Sequence, residues 1–327
     1  MSSLDSILRP RPKTQSSASY SPAASVRQIE SNLTARNYAQ HKTLDLLGLE
    51  EEFASRISWL ADLKRLVPDA DKRSLAAVRA ELQHPSRQAE LISTARIEFA
   101  KRNKWLSLYP DEGPLRRELY NKHTDLFRNG ATSNERLAIA ANRAGKTLAA
   151  AYETTCHATG IYPHWWEGYR FTEPLPCAWI VNKGAKDCRD INEQELLGPS
   201  GNLALRGTGM IPAHRILKCT PKSGTPNAVE FIDILHVSGG TSRLQSKSFD
   251  QGREAFQGTA TPWIWLDEEC PDDVYGECLM RTMTCNGLIL MTYTPIQGLT
   301  TLTAEFLHAA GIEIEGQPIV PLKEKTA

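Results

Sequence analysis

The residues "RLAIAANRAGKTLAAAY", from Arg136 to Tyr152, contain the strongest structural signal of the chain. An apolar run suited to a buried strand passes through a short polar turn into Gly145-Lys146-Thr147, and the alanine-rich residues that follow are strong helix formers. A phosphate-binding loop needs these parts in this order, because backbone N–H groups of the turn and of the first helical residues surround the phosphate oxygens. The sequence therefore predicts such a loop at the end of a strand.

The residues of this loop have predicted roles. Lys146 is expected to reach the β- and γ-phosphates of ATP, and the Thr147 hydroxyl is expected to bind Mg²⁺. The other loop residues predicted to contact the nucleotide are Ala141, Asn142, Arg143, Ala144 and Gly145. The usual pattern has a glycine where this chain has Ala140, and alanine fits there only with a negative φ, so the chain enters the loop differently. A helix N-terminus that contains Gly-Lys-Thr by chance is the alternative interpretation.

A second stretch, "PWIWLDEECPDD", supplies the acidic groups that ATP hydrolysis requires. Its apolar run ends in Asp267-Glu268, 121 residues after Lys146. We expect Asp267 at the exposed tip of a buried strand beside the loop, where it holds the magnesium's coordinated water. Glu268 is expected to orient and deprotonate the attacking water. A surface turn is the alternative, because an apolar run followed by two acids is a common pattern.

A third stretch, "GLILMTYTPIQG", is another apolar run that ends in polar hydroxyls, 25 residues after Asp267. Thr292 and Thr294 at the end of a strand can hydrogen-bond the γ-phosphate or the water, and can thereby report whether ATP or ADP is bound. An ordinary strand-terminating turn is the alternative for this tripeptide.

The fold class follows from the alternation of these runs with helical stretches. Five short apolar segments favour strands, and they are "RLAIAA", "CAWIVN", "VEFIDILHV", "PWIWLD" and "GLILMTYT". We predict an α/β fold, a P-loop ATPase core with a mostly parallel sheet flanked by helices. The predicted domains are a flexible tail at 1–25, a helical N-terminal region at 26–108, the ATPase domain at 109–310, and a C-terminal tail or linker at 311–327.

Composition restricts the function classes. The 327 residues are 41% hydrophobic and carry 38 basic and 38 acidic side chains, so net charge gives no argument for nucleic-acid binding. No run of 18 apolar residues and no secretion signal is visible, which predicts a cytosolic protein without membrane contact. The 7 cysteines have no C-x-x-C spacing and are expected to be reduced and mostly packed.

These stretches together resemble the large terminase subunit of tailed bacteriophages, the ATPase that drives DNA into the capsid. The stretches that carry the resemblance are "YPDEGPLRRELYNKH", "NRAGKT", "YPHWWEG", "GTGMIP", "FDQGREAFQGT", "WLDEECP", "CLMRTMTCNG" and "TYTPIQGL". The resemblance implies that Arg143 approaches the phosphates as a catalytic group and that Thr292 to Thr294 couple hydrolysis to DNA movement. Tyr120 and His123 fall where the family's adenine-contacting motif lies, although the glutamine frequent there is absent.

The resemblance also implies partners and limits. It implies double-stranded DNA, the small terminase subunit and the portal protein as partners, and a homo-oligomeric ring on the procapsid in the host cytoplasm. Such rings use an arginine from a neighbouring subunit, for which Arg206, Arg215 and Arg281 are candidates, and Arg253 is a candidate contact for DNA or phosphate. Only 20 residues follow Leu307, so we expect no nuclease domain in this chain. A truncated terminase that binds nucleotide or partners without packaging, or a helicase-type ATPase, are the alternative functions.

Overall fold

The computed structural model of the chain describes residues 104–295, 298 and 300–312. The predicted tail at 1–25, the predicted helical region up to residue 103 and the C-terminal residues from 313 lie outside this part. The described residues form one seven-stranded sheet with helices on both faces. The prediction of a mostly parallel sheet flanked by helices is confirmed.

The strands follow the chain in an order that differs from their order in the sheet. Their bounds are β1 Glu135–Ile139, β2 Ala178–Asn182, β3 Ile216–Pro221, β4 Val229–Leu235, β5 Thr241–Ser248, β6 Trp263–Asp267 and β7 Leu288–Tyr293. The spatial order is β1-β7-β6-β2-β5-β4-β3. The four pairings from β1 to β5 are parallel, whereas β4 pairs antiparallel with β5 and with β3.

Neighbouring residues of a strand point to opposite faces of the sheet, and the interior strands β2, β6 and β7 carry apolar residues on both faces. Helices therefore cover both faces. They are α1 Lys104–Ser107, α2 Asn121–Asn129, α3 Lys146–Thr159, α4 Ala185–Asp187, α5 Gln194–Leu197, α6 Asp272–Met283 and α7 Thr301–Ala309, with a π-helical segment, Cys188–Glu193, between α4 and α5. On β6, Trp263 and Trp265 belong to the core that contains residues of α3. The alternate residues Ile264 and Leu266 belong to the core under α6.

The five predicted segments all contain strands, and two further strands were not predicted. β2, β6 and β7 are buried along their whole length, which explains their continuous apolar sequences. β5 is an interior strand, parallel to β2 and antiparallel to β4, with the polar sequence "TSRLQSKS". Its buried serines are accommodated by hydrogen bonds, since Ser242 accepts from the Leu175 N–H and Ser246 donates to Glu193.

The N-terminal edge of the described part bears on the predicted domain boundary. The boundary was predicted between residues 108 and 109, and Trp105 precedes it. The side chain of Trp105 is nevertheless buried in the core around α3, with its ring centroid 6.5 Å from that of Tyr152. This packing supports a domain that begins at or before Trp105. Across the described residues, no helix combines the length and the hydropathy that spanning a membrane requires, and all seven cysteines, which lie in this part, are free.

The position of β7 matters most for the site. β7 lies between β1, which enters the loop, and β6, which ends in the acid pair. Asp267 is in register with Thr292, and Ile139 with Tyr293. Because parallel strands end at the same edge of a sheet, the loop, the acids and the two threonines come together at the edge where ligands of α/β folds bind.

Candidate phosphate-binding site

The loop between β1 and α3 takes its turn at Arg143 and Gly145. Arg143 has φ 64° and Gly145 has φ 83°, whereas Ala140 is not among the described residues with positive φ. Alanine at position 140 fits the loop because no positive φ is needed there, and the left-handed residues, Arg143 and Gly145, come later in the loop. A non-glycine residue in this region costs about 1–3 kcal/mol and is typical of functional sites. Arg143 itself is exposed at the tip of the loop.

Lys146 begins α3 and folds back over the loop. Its Nζ donates to the carbonyl oxygens of Ala140, at 2.8 Å, and of Ala141, at 3.0 Å. A third bond, of 2.9 Å, goes to Thr294 Oγ1 at the end of β7. Partial burial lowers the pKa of Lys146, and the negative charges of Asp267 and Glu268 oppose that shift. An ammonium held by neutral oxygens can exchange them for phosphate oxygens.

Asp267 is the last residue of β6, and its carboxylate lies next to the Thr147 hydroxyl. The Thr147 Oγ1 lies 3.3 and 3.4 Å from the two carboxylate oxygens, and Thr292 Oγ1 donates to Oδ1 at 2.7 Å. The predicted exposed position of Asp267 is wrong, because these hydroxyls and two asparagine amides cover the carboxylate and leave it 5% exposed. Burial raises the pKa of Asp267 to about 7, and the nearby Glu268 charge adds to the shift.

Glu268 follows in a strained conformation. It has φ 88°, and its N–H donates to the Thr292 carbonyl at 2.7 Å, which holds the bend at the end of β6. The side chain is about one third exposed, and its Oε2 lies 3.7 Å from Lys183 Nζ. A partly solvated carboxylate on a constrained backbone is suited to accept a proton from water.

The two threonines of β7 join the parts of the site. Thr292 Oγ1 accepts from the Trp265 indole at 3.0 Å while it donates to Asp267. Thr294 Oγ1 accepts from Lys146 and donates to Asn142 Oδ1 at 2.9 Å. The Thr292 hydroxyl, on β7, thus contacts the acid, and the Thr294 hydroxyl, directly after the strand, contacts the loop.

The two residues expected near the adenine lie behind the loop. Tyr120 and His123 face each other with ring centroids 5.8 Å apart. His123 Nε2 is 3.2 Å from the Ala144 carbonyl, and its Nδ1 is 2.9 Å from the Tyr109 hydroxyl. His123 therefore contacts the backbone of the loop itself, a contact that the sequence did not predict.

Three polar residues of the site were also missed. Asn182, at the end of β2, and Asn192, in the π-helical segment, direct amide nitrogens to Asp267 Oδ2 at 3.4 and 3.5 Å and are bonded to each other. Lys183 pairs with Glu268. The sequence did carry a signal for two of them. Asn182 comes directly after an apolar run and Lys183 follows it, just as Asp267 and Thr292 stand at the ends of their own apolar runs. Nothing local to Asn192 indicates its partner.

The structure separates the arginine candidates. Arg215 is 1% exposed, so its selection as an arginine that reaches a neighbouring subunit is wrong, because a buried guanidinium cannot leave its own subunit. Arg281 donates to the Gly258 carbonyl at 2.7 Å and contacts Glu277 on its own helix. Arg253 pairs with the same Glu277 at 2.7 Å, and its side chain is 59% exposed. Arg206 is half-buried and lines a small surface depression together with Glu193 and Asn202.

Thr147 and Asp267 form a donor set that fits a divalent cation. A hydroxyl and a carboxylate are oxygen ligands of the kind that Mg²⁺ prefers. The carboxylate is buried and its pKa is raised, so a cation at this position would offset the cost of its charge. The described residues contain no cluster of three or more histidine, cysteine or acidic side chains suited to a metal, so this pair would need water and phosphate oxygens to complete the coordination of Mg²⁺.

Comparison with known proteins places this arrangement in a family. Residues 137–325 match the family described as "Terminase large subunit, T4likevirus-type, N-terminal". The chain is 30% identical over 205 residues to the "Terminase, large subunit" of Salmonella phage P22, and the alignment covers 58% of this chain and 41% of that protein. The chain thus spans about two fifths of the length of this relative.

Two solved structures are also similar in part. One is the large terminase ATPase domain of Thermus phage P74-26, 17% identical, with a TM-score of 0.34, 53% of this chain covered and 63% of that chain. The other is a mutant of the same domain, 15% identical, with a TM-score of 0.32 and the same coverage.

Proposed function

The chain belongs to the family of N-terminal regions of T4-like terminase large subunits, and from this premise we propose that it is an ATP-hydrolysing motor domain that powers the movement of double-stranded DNA into the procapsid. The observation that carries the proposal is the meeting of Lys146, Thr147, Asp267 and Glu268 at one sheet edge, with hydroxyls of β7 between them. These four side chains are the groups that phosphoryl transfer to water requires.

The loop binds the triphosphate in this proposal. Lys146 releases the carbonyl oxygens of Ala140 and Ala141 and binds the β- and γ-phosphates, while backbone N–H groups from Asn142 to Thr147 surround the same oxygens. Arg143 projects from the exposed tip and approaches the phosphates. Tyr120 lies on the adenine side.

The acids perform the hydrolytic step. Thr147 and Asp267 would hold Mg²⁺, which when bound neutralises charge on the β- and γ-phosphate oxygens. Glu268 orients a water molecule toward the γ-phosphorus and accepts its proton as the bond to the leaving oxygen breaks. The constrained backbone of Glu268 limits where its carboxylate can lie.

Coupling runs through β7. Thr294, directly after β7, is bonded to both Lys146 and Asn142 of the loop, so a movement of Lys146 onto the phosphates shifts a partner at the end of this strand. Thr292, two residues earlier, bonds the acid behind the magnesium site. Downstream, Thr300 caps α7 and donates to Glu269, which directly follows the catalytic Glu268. The acid that acts at the γ-phosphate is therefore connected to α7 through the adjacent Glu269 and its hydrogen bond with Thr300.

The wider assignments rest on the family. We propose double-stranded DNA, the small terminase subunit and the portal protein as partners, and a homo-oligomeric ring on the procapsid in the host cytoplasm. Arg206 and Arg281 remain candidates for the arginine supplied to a neighbouring subunit. We propose 109–310 as the motor domain, extended at its N-terminal side to include Trp105, whose side chain is buried in the core around α3.

The experiment is an assay of ATP hydrolysis by the full chain and by Lys146→Ala. We expect the variant to lose measurable hydrolysis and to bind ATP weakly. Lys186→Ala, which removes a lysine on α4, serves as the control and should hydrolyse ATP at the wild-type rate. Hydrolysis that survives Lys146→Ala contradicts the proposal. Wild-type protein that binds ATP but never hydrolyses it supports instead a terminase remnant that only binds nucleotide.

A further inference from the structure

His123 contacts the loop in a way that fixes its protonation and its role. The Ala144 oxygen is a carbonyl and can only accept, so His123 Nε2 carries the hydrogen and donates it across 3.2 Å. Burial lowers the pKa of His123 and so favours the neutral ring, in which Nδ1 is the acceptor for the Tyr109 hydroxyl, at 2.9 Å. One tautomer satisfies both bonds.

The partner on the other side of the ring is rigid. Tyr109 is 3% exposed and packs edge-on against Phe127, Tyr152 and Trp165, with ring centroids 4.9 to 5.7 Å apart. Tyr152 belongs to α3, the helix that the loop enters. His123 is therefore held by the same aromatic cluster that packs against the helix after the loop.

The bond to Ala144 controls the direction of the next N–H group. The described residues contain no cis peptide bonds, and in a trans peptide the C=O and N–H point in opposite directions. A carbonyl of Ala144 directed at His123 therefore turns the Gly145 N–H to the opposite side, away from α2. Gly145 accepts either sign of φ at little cost, so glycine itself does not prevent this peptide from flipping.

The ring also occupies the space beside Gly145. A Cβ atom at this position would lie 2.8 Å from His123 Cε1, closer than carbon atoms approach without a shift. The requirement for glycine at 145 thus has two causes, the left-handed φ of 83° and the imidazole packed against it.

We infer that His123 is a positioning residue of the phosphate-binding loop, which keeps the Ala144–Gly145 peptide oriented with its N–H toward the phosphates, rather than a residue that selects adenine. This inference rests on the proposed function, because it assigns a role within the same nucleotide site. It predicts that His123 matters equally for any ligand with a triphosphate, with or without a base.

The test measures dissociation constants of ATP and of inorganic tripolyphosphate, both with Mg²⁺, for the wild-type chain and for His123→Phe and His123→Gln. Phenylalanine keeps a ring against Gly145 but cannot donate, whereas glutamine offers an amide N–H at a similar reach. We expect His123→Phe to weaken both ligands by the same factor, about three- to tenfold for one hydrogen bond. His123→Gln should recover most of the affinity.

A second readout follows the peptide itself. Hydrogen exchange of the loop segment should be faster in ligand-free His123→Phe than in the wild type, because the Ala144 carbonyl has lost its bond to α2. Tyr109→Phe, which keeps the ring cluster and removes only the hydroxyl, should weaken both ligands equally by about two- to threefold. His308→Phe, on α7, makes the same chemical change outside the loop and should leave both constants unchanged.

Two results overturn the inference. If His123→Phe weakens ATP and leaves tripolyphosphate unaffected, His123 contacts the base. If neither constant changes in His123→Phe or Tyr109→Phe, the bond does not position the loop. A wild-type chain that binds neither ligand contradicts the proposed function as well, which distinguishes that failure from the other two.

Discussion

Glu193 is a buried acid whose ionisation opposes folding at neutral pH. Its side chain is 2% exposed, Oε2 accepts from the Val229 N–H at 2.8 Å, and Oε1 accepts from the Ser246 hydroxyl at 3.0 Å. Burial raises the pKa of Glu193 to about 7, and the two hydrogen bonds only partly offset that shift. In the unfolded chain the same group has its ordinary pKa of 4.5.

The sign of the pH effect follows from these two values. Between them the folded chain binds more protons than the unfolded chain, so the contribution of Glu193 to stability is fully present below the unfolded pKa and is lost as pH rises through about 7. With one pKa unit equal to about 1.4 kcal/mol, the loss between about pH 5 and about pH 8 is about 2.5 kcal/mol.

Glu193→Gln removes the ionisation and keeps the shape. Its carbonyl can accept from Val229 and its amide can donate to the Ser246 hydroxyl, so both bonds survive. We expect the free energy of unfolding of the variant, measured by urea denaturation, to exceed that of the wild type at about pH 8 by about 2 kcal/mol or more, and to approach it at about pH 5. Other titrating groups cancel in this difference.

The control is Glu118→Gln, at a side chain that is 81% exposed, where the difference from wild type should not vary with pH. If the stability difference between Glu193→Gln and the wild type is the same at both pH values, or if the variant is the less stable one at the higher pH, burial does not raise the pKa of Glu193 in the folded chain.

Two further substitutions test buried contacts of the core and the site. Arg136 is bonded to both carboxylate oxygens of Glu153, at 2.9 and 3.1 Å, so Glu153→Gln leaves the guanidinium as an uncompensated buried charge. We expect the free energy of unfolding, measured by urea denaturation, to fall by about 3–5 kcal/mol. Thr292→Val keeps the shape but removes the bond to Asp267 and strands the Trp265 indole N–H, so it should lose about 2–4 kcal/mol, whereas Thr292→Ser should lose about 1 kcal/mol. Equal losses for Val and Ser would show that the hydroxyl contributes nothing.

Sequence patterns predicted the parts of this fold that depend on local chemistry. β2, β6 and β7 are buried on both faces, so their apolar runs were sufficient evidence. β5 was not predicted because its buried residues include serines, whose burial is made possible by hydrogen bonds to residues distant in the sequence. Such bonds leave no periodic pattern of apolar residues in the sequence.

The same limit applies to the site. Asn192 reaches Asp267 from 75 residues away, and only the packing of the π-helical segment against the sheet brings them together. Asp267 was expected to be exposed because it ends a strand, and Arg215 was one of three candidates for an arginine that reaches a neighbouring subunit. Both are buried, since neighbouring polar groups satisfy them in the folded chain.

The catalytic role of Glu268 is the central claim, and its most direct test compares ATP binding and turnover in Glu268→Gln. Removing a general base typically lowers the rate by about 10² to 10⁴, while the loop that binds the phosphates is unchanged. We predict that the variant binds ATP with Mg²⁺ as tightly as the wild type and hydrolyses it at least about a hundredfold more slowly. Wild-type turnover by Glu268→Gln would contradict it.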